Sequence, residues 1–377
     1  MEKNNVGRLI AADGRDSNIL YGGGFKASDE FIYFEDPEGK RHLVVSALEL
    51  SRAKTEANSD VTVIDYGDFM KKYPRDARPP VLAALTEFAM VEGWIVPPSF
   101  PVGYADMLRE KGYTVTVAEG DFFPQRTVKR SDELEKIREM ERITQDAMMM
   151  VRDMIISASV NCHNMLVRKD GEILTSEYLR CEVEAEFKRK FCSAEHTIIA
   201  GGCDGAAPHC TGSGPIYAQT PVVCDIFPRS DIHGDWGDMT RTFCKGTAAP
   251  VVQRAFASVL KASEKSLAML RAGVTGEAVH NCAARSMESD GFMTYKNANG
   301  DPCGFFHGLG HGVGLDIHEQ PRLSPANKSP LPVNAVVSVE PGLYDPEWGG
   351  IRLEDLVAVT EDGYENFCTM EKELELP

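Results

Sequence analysis

"HGLGHGVGLDIHE", residues 307–319, sets His307, His311 and His318 among Gly308, Gly310, Gly312 and Gly314. His307 and His311 are four apart, a spacing that would put both on one face of a helix. Each interior glycine costs a helix about 1 kcal/mol relative to alanine. With four of them at alternate positions, the segment reads instead as a strand or extended turn that another backbone or a ligand approaches closely. The helical zinc pattern H-E-x-x-H is thereby excluded. Three of the chain's nine histidines are thus gathered in one glycine-framed, non-helical segment.

Around this segment, carboxylates stand where strands should be apolar. Asp225 lies in "PVVCDIF", Glu340 in "VVSVEPGLY" and Glu354 in "IRLEDLVAV"; Asp238 comes just before the strand-like run in "GDWGDMTRTF". An unpaired carboxylate is costly to bury, so such groups are normally paired or bound to metal. Any one of them is more often solvent-facing or arginine-paired, and Arg241 and Arg352 stand close by in sequence. Four such acids together with a histidine cluster point to metal. Carboxylate oxygen suits manganese, and one imidazole admits cobalt, iron or zinc. Five donors are too many for one tetrahedral site; two divalent ions ~3.5–4 Å apart, bridged by carboxylates, would use them all.

A chain of 377 residues predicts two or three domains at ~100–200 residues each. Residues 1–125 contain no cysteine, and strand-like runs ("HLVVSAL", "VTVIDYG") alternate there with helical patterns ("PPVLAALTEFAM", "ADMLREKG"). That alternation predicts an α/β domain. Leu134, Ile137, Met140 and Ile143 carry helical spacing through 129–155, with Asp132 and Glu135 as the expected capping pair. This helix opens a second domain, residues 126–377. Met148–Met150 read as core filling. A polar turn and a helical pattern occupy 163–182. After residue 195, strand-like runs are interrupted by one helix over 251–273, an α+β arrangement.

The net charge of −17 argues against a nucleic-acid partner. No run approaches the ~20 apolar residues of a membrane span, and "MEKNNVGRLIAADGRDS" has no signal-peptide pattern. A cytoplasmic protein is expected. The ten cysteines form no C-x-x-C pair and read as free, buried thiols.

The segments "DIFPRSDIHGDWGDMTRTF", "FFHGLGHGVGLDIHE", "SVEPGLY" and "GGIRLEDLVAV" resemble, in order, the signature segments of the aminopeptidase P and prolidase family, the pita-bread metallopeptidases that cleave Xaa-Pro bonds. The resemblance covers residues from about 130 to 377. It extends more weakly to "DSNILYGGGF" and "LVVSALELSRA", which look like the creatinase-type N-terminal domain. It implies an α/β N-terminal domain followed by an α+β pita-bread catalytic domain, and a homodimer. It implies that Asp225 binds one metal through both oxygens, that Asp238 and Glu354 bridge two, and that His311 and Glu340 complete the second. By the same resemblance His307, His318 and His209 line the substrate site, and Arg352 supports it. Glu340 would move the proton of the attacking water, and His318 would donate to the scissile carbonyl. Phe305, Phe306 and Tyr344 are candidates for the proline pocket or for core.

The sequence departs from the family pattern in three places. Asp225 and Asp238 are 13 residues apart, longer than the commonest form; "AGGCDGAAPH" is an unusual run before His209; and 163–182 looks inserted. The substrate expected is a peptide with proline second, and dipeptidase and aminopeptidase both remain open. The rivals are a same-fold hydrolase with a non-peptide substrate and a non-catalytic binding module. Both tend to lose metal ligands, and here every ligand position is filled.

Overall fold

The structure, a computed structural model, describes residues 5–72 and 78–377. Residues 1–4 of the N-terminal stretch read above for a signal peptide lie outside the described residues. The chain divides into two compact units, Met1–Pro124 and Gln125–Pro377.

In the first unit, strands β1 (Val6–Ala12), β2 (Phe31–Glu35), β3 (Arg41–Val45), β4 (Val61–Asp65), β5 (Gly93–Val96) and β6 (Thr114–Val117) form one sheet. Its order is β4-β3-β2-β1-β5-β6. β1–β3 are antiparallel neighbours, and β4, β5 and β6 join in parallel. Successive strand residues point to opposite faces, and here both faces are apolar. Leu9, Ile32, Phe34 and Val44 pack into one core with Trp94, while Ile10, Phe31, Tyr33 and Leu43 pack into another. The helices of this unit are α1 (Ser17–Gly23), α2 (Leu50–Glu56), α3 (Tyr66–Lys72), α4 (Arg78–Phe88) and α5 (Val102–Glu110).

The second unit contains α6 (Ser131–Ser157), α7 (Ser176–Arg189), α8 (Pro250–Met269) and α9 (Gly276–Ser289). Its main sheets have four and five strands. The first runs Ile198–Gly201, Val222–Ile226, Met239–Lys245, Glu375–Leu376; the second runs Glu319–Leu323, Gly310–Gly312, Val336–Val339, Asp355–Val359, Tyr364–Asn366. α6 and α7 share a core with the first sheet through Ile137, Met148, Leu179, Phe187, Cys224 and Phe243. α8 and α9 share another with the second through Val259, Ala283, Val337 and Val357.

Several local expectations are corrected. At the start of α6 the capping carboxylate is Glu133, which accepts the Arg130 N–H at 2.8 Å. Asp132 already lies inside the helix and faces Lys136, and Glu135 faces Arg138. α9 is a second helix after 251–273 that the pattern does not announce. Its buried face is Gly276, Val279, His280, Ala283, Ser286 and Met287, with only two large apolar side chains. Met148 is buried but Met149 is exposed. All ten cysteines are free, yet Cys162, Cys181 and Cys203 are exposed rather than buried.

Candidate metal centre

Strand ends bring the acids together. Asp225 sits in Val222–Ile226 opposite Thr240, and Asp238 immediately precedes Met239–Lys245. His311 occupies the short strand Gly310–Gly312, which pairs with Val336–Val339. Glu340 follows that strand, its N–H bonded to Leu309 O at 2.8 Å. Glu354 precedes Asp355–Val359, the next strand across. The glycines either side of His311 are required by close backbone approach. A Cβ on Gly310 would lie 1.9 Å from Ser338 O, and one on Gly312 would lie 2.3 Å from Gln320 O.

Asp238, His311 and Glu354 are buried and offer ligand atoms within 4.8 Å of one another. His311 Nε2 lies 3.3 Å from Glu340 Oε1 and 3.7 Å from Asp238 Oδ2. His311 Nδ1 lies 3.3 Å from Gly312 O. A proton on Nδ1 donated there leaves the Nε2 lone pair facing the acids, the arrangement of a metal-ligating imidazole. Thr240 Oγ1 donates to Glu354 Oε2 at 2.8 Å. Asp225 Oδ2 accepts from Arg352 Nη2 at 2.7 Å, while Asp225 Oδ1 is buried without a hydrogen-bond partner among the described residues. Arg241 is paired with Asp355 at 3.0 Å.

The electrostatics match a cation site. Burial, with the charges of Glu354, Asp225, Glu340 and Glu141, holds the Asp238 carboxyl well above its ordinary range. Burial, with Glu340 and Asp225, does the same to Glu354. Burial lifts Glu340 to about 8, against the opposing pull of Arg352. Like charges crowded into a dry pocket favour protons or metal.

The acids open on a cavity of about 870 Å³, lined also by His209, His307, His318, Arg322, Phe306 and Tyr344. Burial depresses His307 to about 4, helped by Arg352, and His318 to about 4, helped by His311 and Arg322. Both rings are therefore neutral near pH 7. Tyr344 is not a plain apolar wall. Its hydroxyl accepts from Arg352 Nη1 at 2.9 Å and meets His307 Nε2 at 3.0 Å. His307 Nδ1, 2.7 Å from Gly308 O, then carries the ring proton. Phe305 is buried against His280 and His307 instead of lining the cavity. Arg322 was not singled out by sequence. It lies two and four residues beyond Gln320 and His318, so strand alternation was the available signal. It lines the cavity without an ion-pair partner among the described residues.

Residues 135–361 match the model of metallopeptidase family M24. The chain belongs to that family. Among M24 relatives, a Xaa-Pro dipeptidase of Pyrococcus furiosus is 26% identical over 382 residues, covering 99% of this chain and 97% of that one. An X-Pro aminopeptidase structure from Thermotoga maritima superposes with a TM-score of 0.78 at 24% identity, over 99% and 98% of the two chains. A Xaa-Pro dipeptidase structure from Bacillus anthracis gives 0.83 at 20% identity, over 100% and 96%. The M24 fold, an α/β domain followed by the pita-bread domain, is therefore the fold of this chain. M24 enzymes are metallopeptidases, and the residues present fit divalent metal: a partnerless buried carboxylate oxygen, an imidazole with its lone pair among acids, and carboxyls held out of their ordinary range.

Proposed function

We propose that the chain is a two-metal Xaa-Pro dipeptidase. The observation that carries this reading is the buried Asp238–His311–Glu354 group with Glu340 beside it. Asp225, Asp238, His311, Glu340 and Glu354 would hold the ions, manganese first, with cobalt, zinc or iron as alternatives. When bound, the ions lower the pKa of a water and polarise the scissile carbonyl. Glu340, whose carboxyl lies near 8 without metal, takes the water proton and passes it to the leaving proline nitrogen. His318 is neutral and donates an N–H to the carbonyl oxygen as negative charge develops there. His307, tied through Tyr344 to Arg352, and His209 complete the polar wall.

Proline's amide has no N–H, so its ring must be recognised by shape. Phe306, Tyr344, Ile198 and Phe227 supply apolar lining. Arg322 supports the dipeptidase choice, because a cation in the cavity suits the carboxylate that a dipeptide places next to its proline ring. The Xaa-Pro dipeptidase name of the Pyrococcus furiosus relative, matched over 99% of this chain, supports the same choice. Ten free thiols suit a reducing compartment such as the cytoplasm, and a homodimer is the assembly we propose from the family resemblance.

The test is hydrolysis with added manganese of a Xaa-Pro dipeptide, a Xaa-Pro-Yaa tripeptide and a proline-free dipeptide. The Xaa-Pro dipeptide should be cleaved fastest and the proline-free control hardly at all. Equal rates on all three would remove proline specificity, and preference for the tripeptide would make the enzyme an aminopeptidase.

A further inference from the structure

A hydrogen-bonded pair behind the metal centre ties together the two backbone segments that carry its proposed bridging carboxylates. Glu141, on α6, is completely buried. Its Oε2 accepts the N–H of Asp238 at 3.0 Å. Its Oε1 accepts from the Cys368 thiol at 2.9 Å. The same sulfur accepts the N–H of Leu356 at 3.2 Å, two residues beyond Glu354. Asn366 Oδ1 holds the Cys368 N–H at 2.8 Å, so the thiol itself is fixed.

The α6 contact is tight. A Cβ on Gly237 would lie 2.3 Å from Thr144 Oγ1 and 2.8 Å from Met140 O, so the turn before Asp238 is seated on the helix turn that presents Glu141. Neither Glu141 nor Cys368 lines the cavity, and the chemistry proposed above uses neither.

We infer that Glu141 and Cys368 form a positioning bridge that sets the separation of Asp238 and Glu354 and so tunes affinity for the metal pair. This rests on the metal centre proposed above. Two carboxylates that would hold the same metal pair must keep their spacing against their own repulsion. Partners one layer out commonly govern metal affinity for that reason. The bridge acts through backbone N–H groups at Asp238 and Leu356, so it fixes main-chain positions without itself occupying a carboxylate oxygen of Asp238 or Glu354.

The test measures manganese dissociation constants of the purified full-length chain by competition with a chelating dye, alongside melting temperatures of the metal-free proteins. C368A removes the thiol, and E141L removes the carboxylate at similar volume. Each should weaken manganese binding by roughly 10–100-fold, and the double variant should be no weaker than E141L alone because both break one bridge. C368S keeps a donor and acceptor. E141Q keeps an oxygen for the Asp238 N–H and turns its NH₂ to the sulfur. Both should bind within about threefold of wild type, by the same argument.

If E141L does not fold, C368A against C368S decides. Unchanged affinity in C368A, with wild type binding and D238N failing to bind, would overturn the bridge while leaving the metal centre intact. Wild type that binds no manganese, or D238N that binds like wild type, would overturn the metal centre and the bridge with it.

Discussion

His311 and His318 meet edge to face with ring centroids 4.3 Å apart, yet their surroundings assign them different work. His311 Nε2 looks onto Glu340 and Asp238, while His318 shares the cavity wall with Arg322 and His209. His311→Ala should therefore lose a metal equivalent. His318→Ala should keep its metals and its fold while turnover falls by roughly 10²–10³, the cost of removing one donor to a developing oxyanion. Metal analysis and steady-state kinetics on the two variants separate the roles. If His318→Ala sheds metal, or stays fully active on every Xaa-Pro substrate, the division of labour fails.

Single elements show where sequence reading succeeds and where it stops. The segment 307–319 was legible as extended because glycine at alternate positions defeats a helix. The structure supplies the other half of the reason, since two neighbouring strands press on Gly310 and Gly312. The acids stood out because each interrupts an apolar strand. Arg322 did not, because a charged residue in an exposed-looking "EQPRL" carries no such contrast. Glu141 was invisible for a similar reason: in "EKIREMERIT" it looks like one more solvated helix charge, and only the fold buries it. α9 stands out little because Gly276, His280, Ala283 and Ser286 share its inner face with Val279 and Met287, and the cap of α6 is ambiguous because acids at 132, 133 and 135 offer several registers. From the close packing follows a prediction at this scale. Gly310→Ala forces a methyl into Ser338 O and should cost about 1–3 kcal/mol as an overpacked site. It should also weaken metal binding by displacing His311. Denaturant unfolding and metal titration of this variant check both effects, and a variant with native stability would show that the strand has room the structure does not give it.

For the whole molecule, the acid cluster is a standing conflict between site and fold. Asp238, Glu340 and Glu354 hold their protons more tightly in the folded chain than an unfolded chain would. Their contribution to stability is therefore complete below the ordinary carboxylate range. It is lost as pH rises through the folded values, about 8 for Glu340. Each unit of displacement corresponds to about 1.4 kcal/mol between the two protonation states, and stability falls with rising pH wherever the folded state holds more protons. Metal reverses the sign, because cations take the place of the protons and bind more tightly as the acids ionise. Between the depressed and ordinary histidine values His307 and His318 oppose this trend, so metal-stripped protein should lose melting temperature above the histidine range, from about pH 7 to pH 8, and saturating manganese should remove most of that decline. Glu340→Gln deletes one of the responsible groups without changing the shape of the side chain. Its metal-free melting temperature should overtake that of wild type as pH rises, with the gap widening toward pH 8. A gap that stays constant across the range would mean that Glu340 titrates alike in folded and unfolded chains, and that the carboxylates are not crowded as the geometry requires.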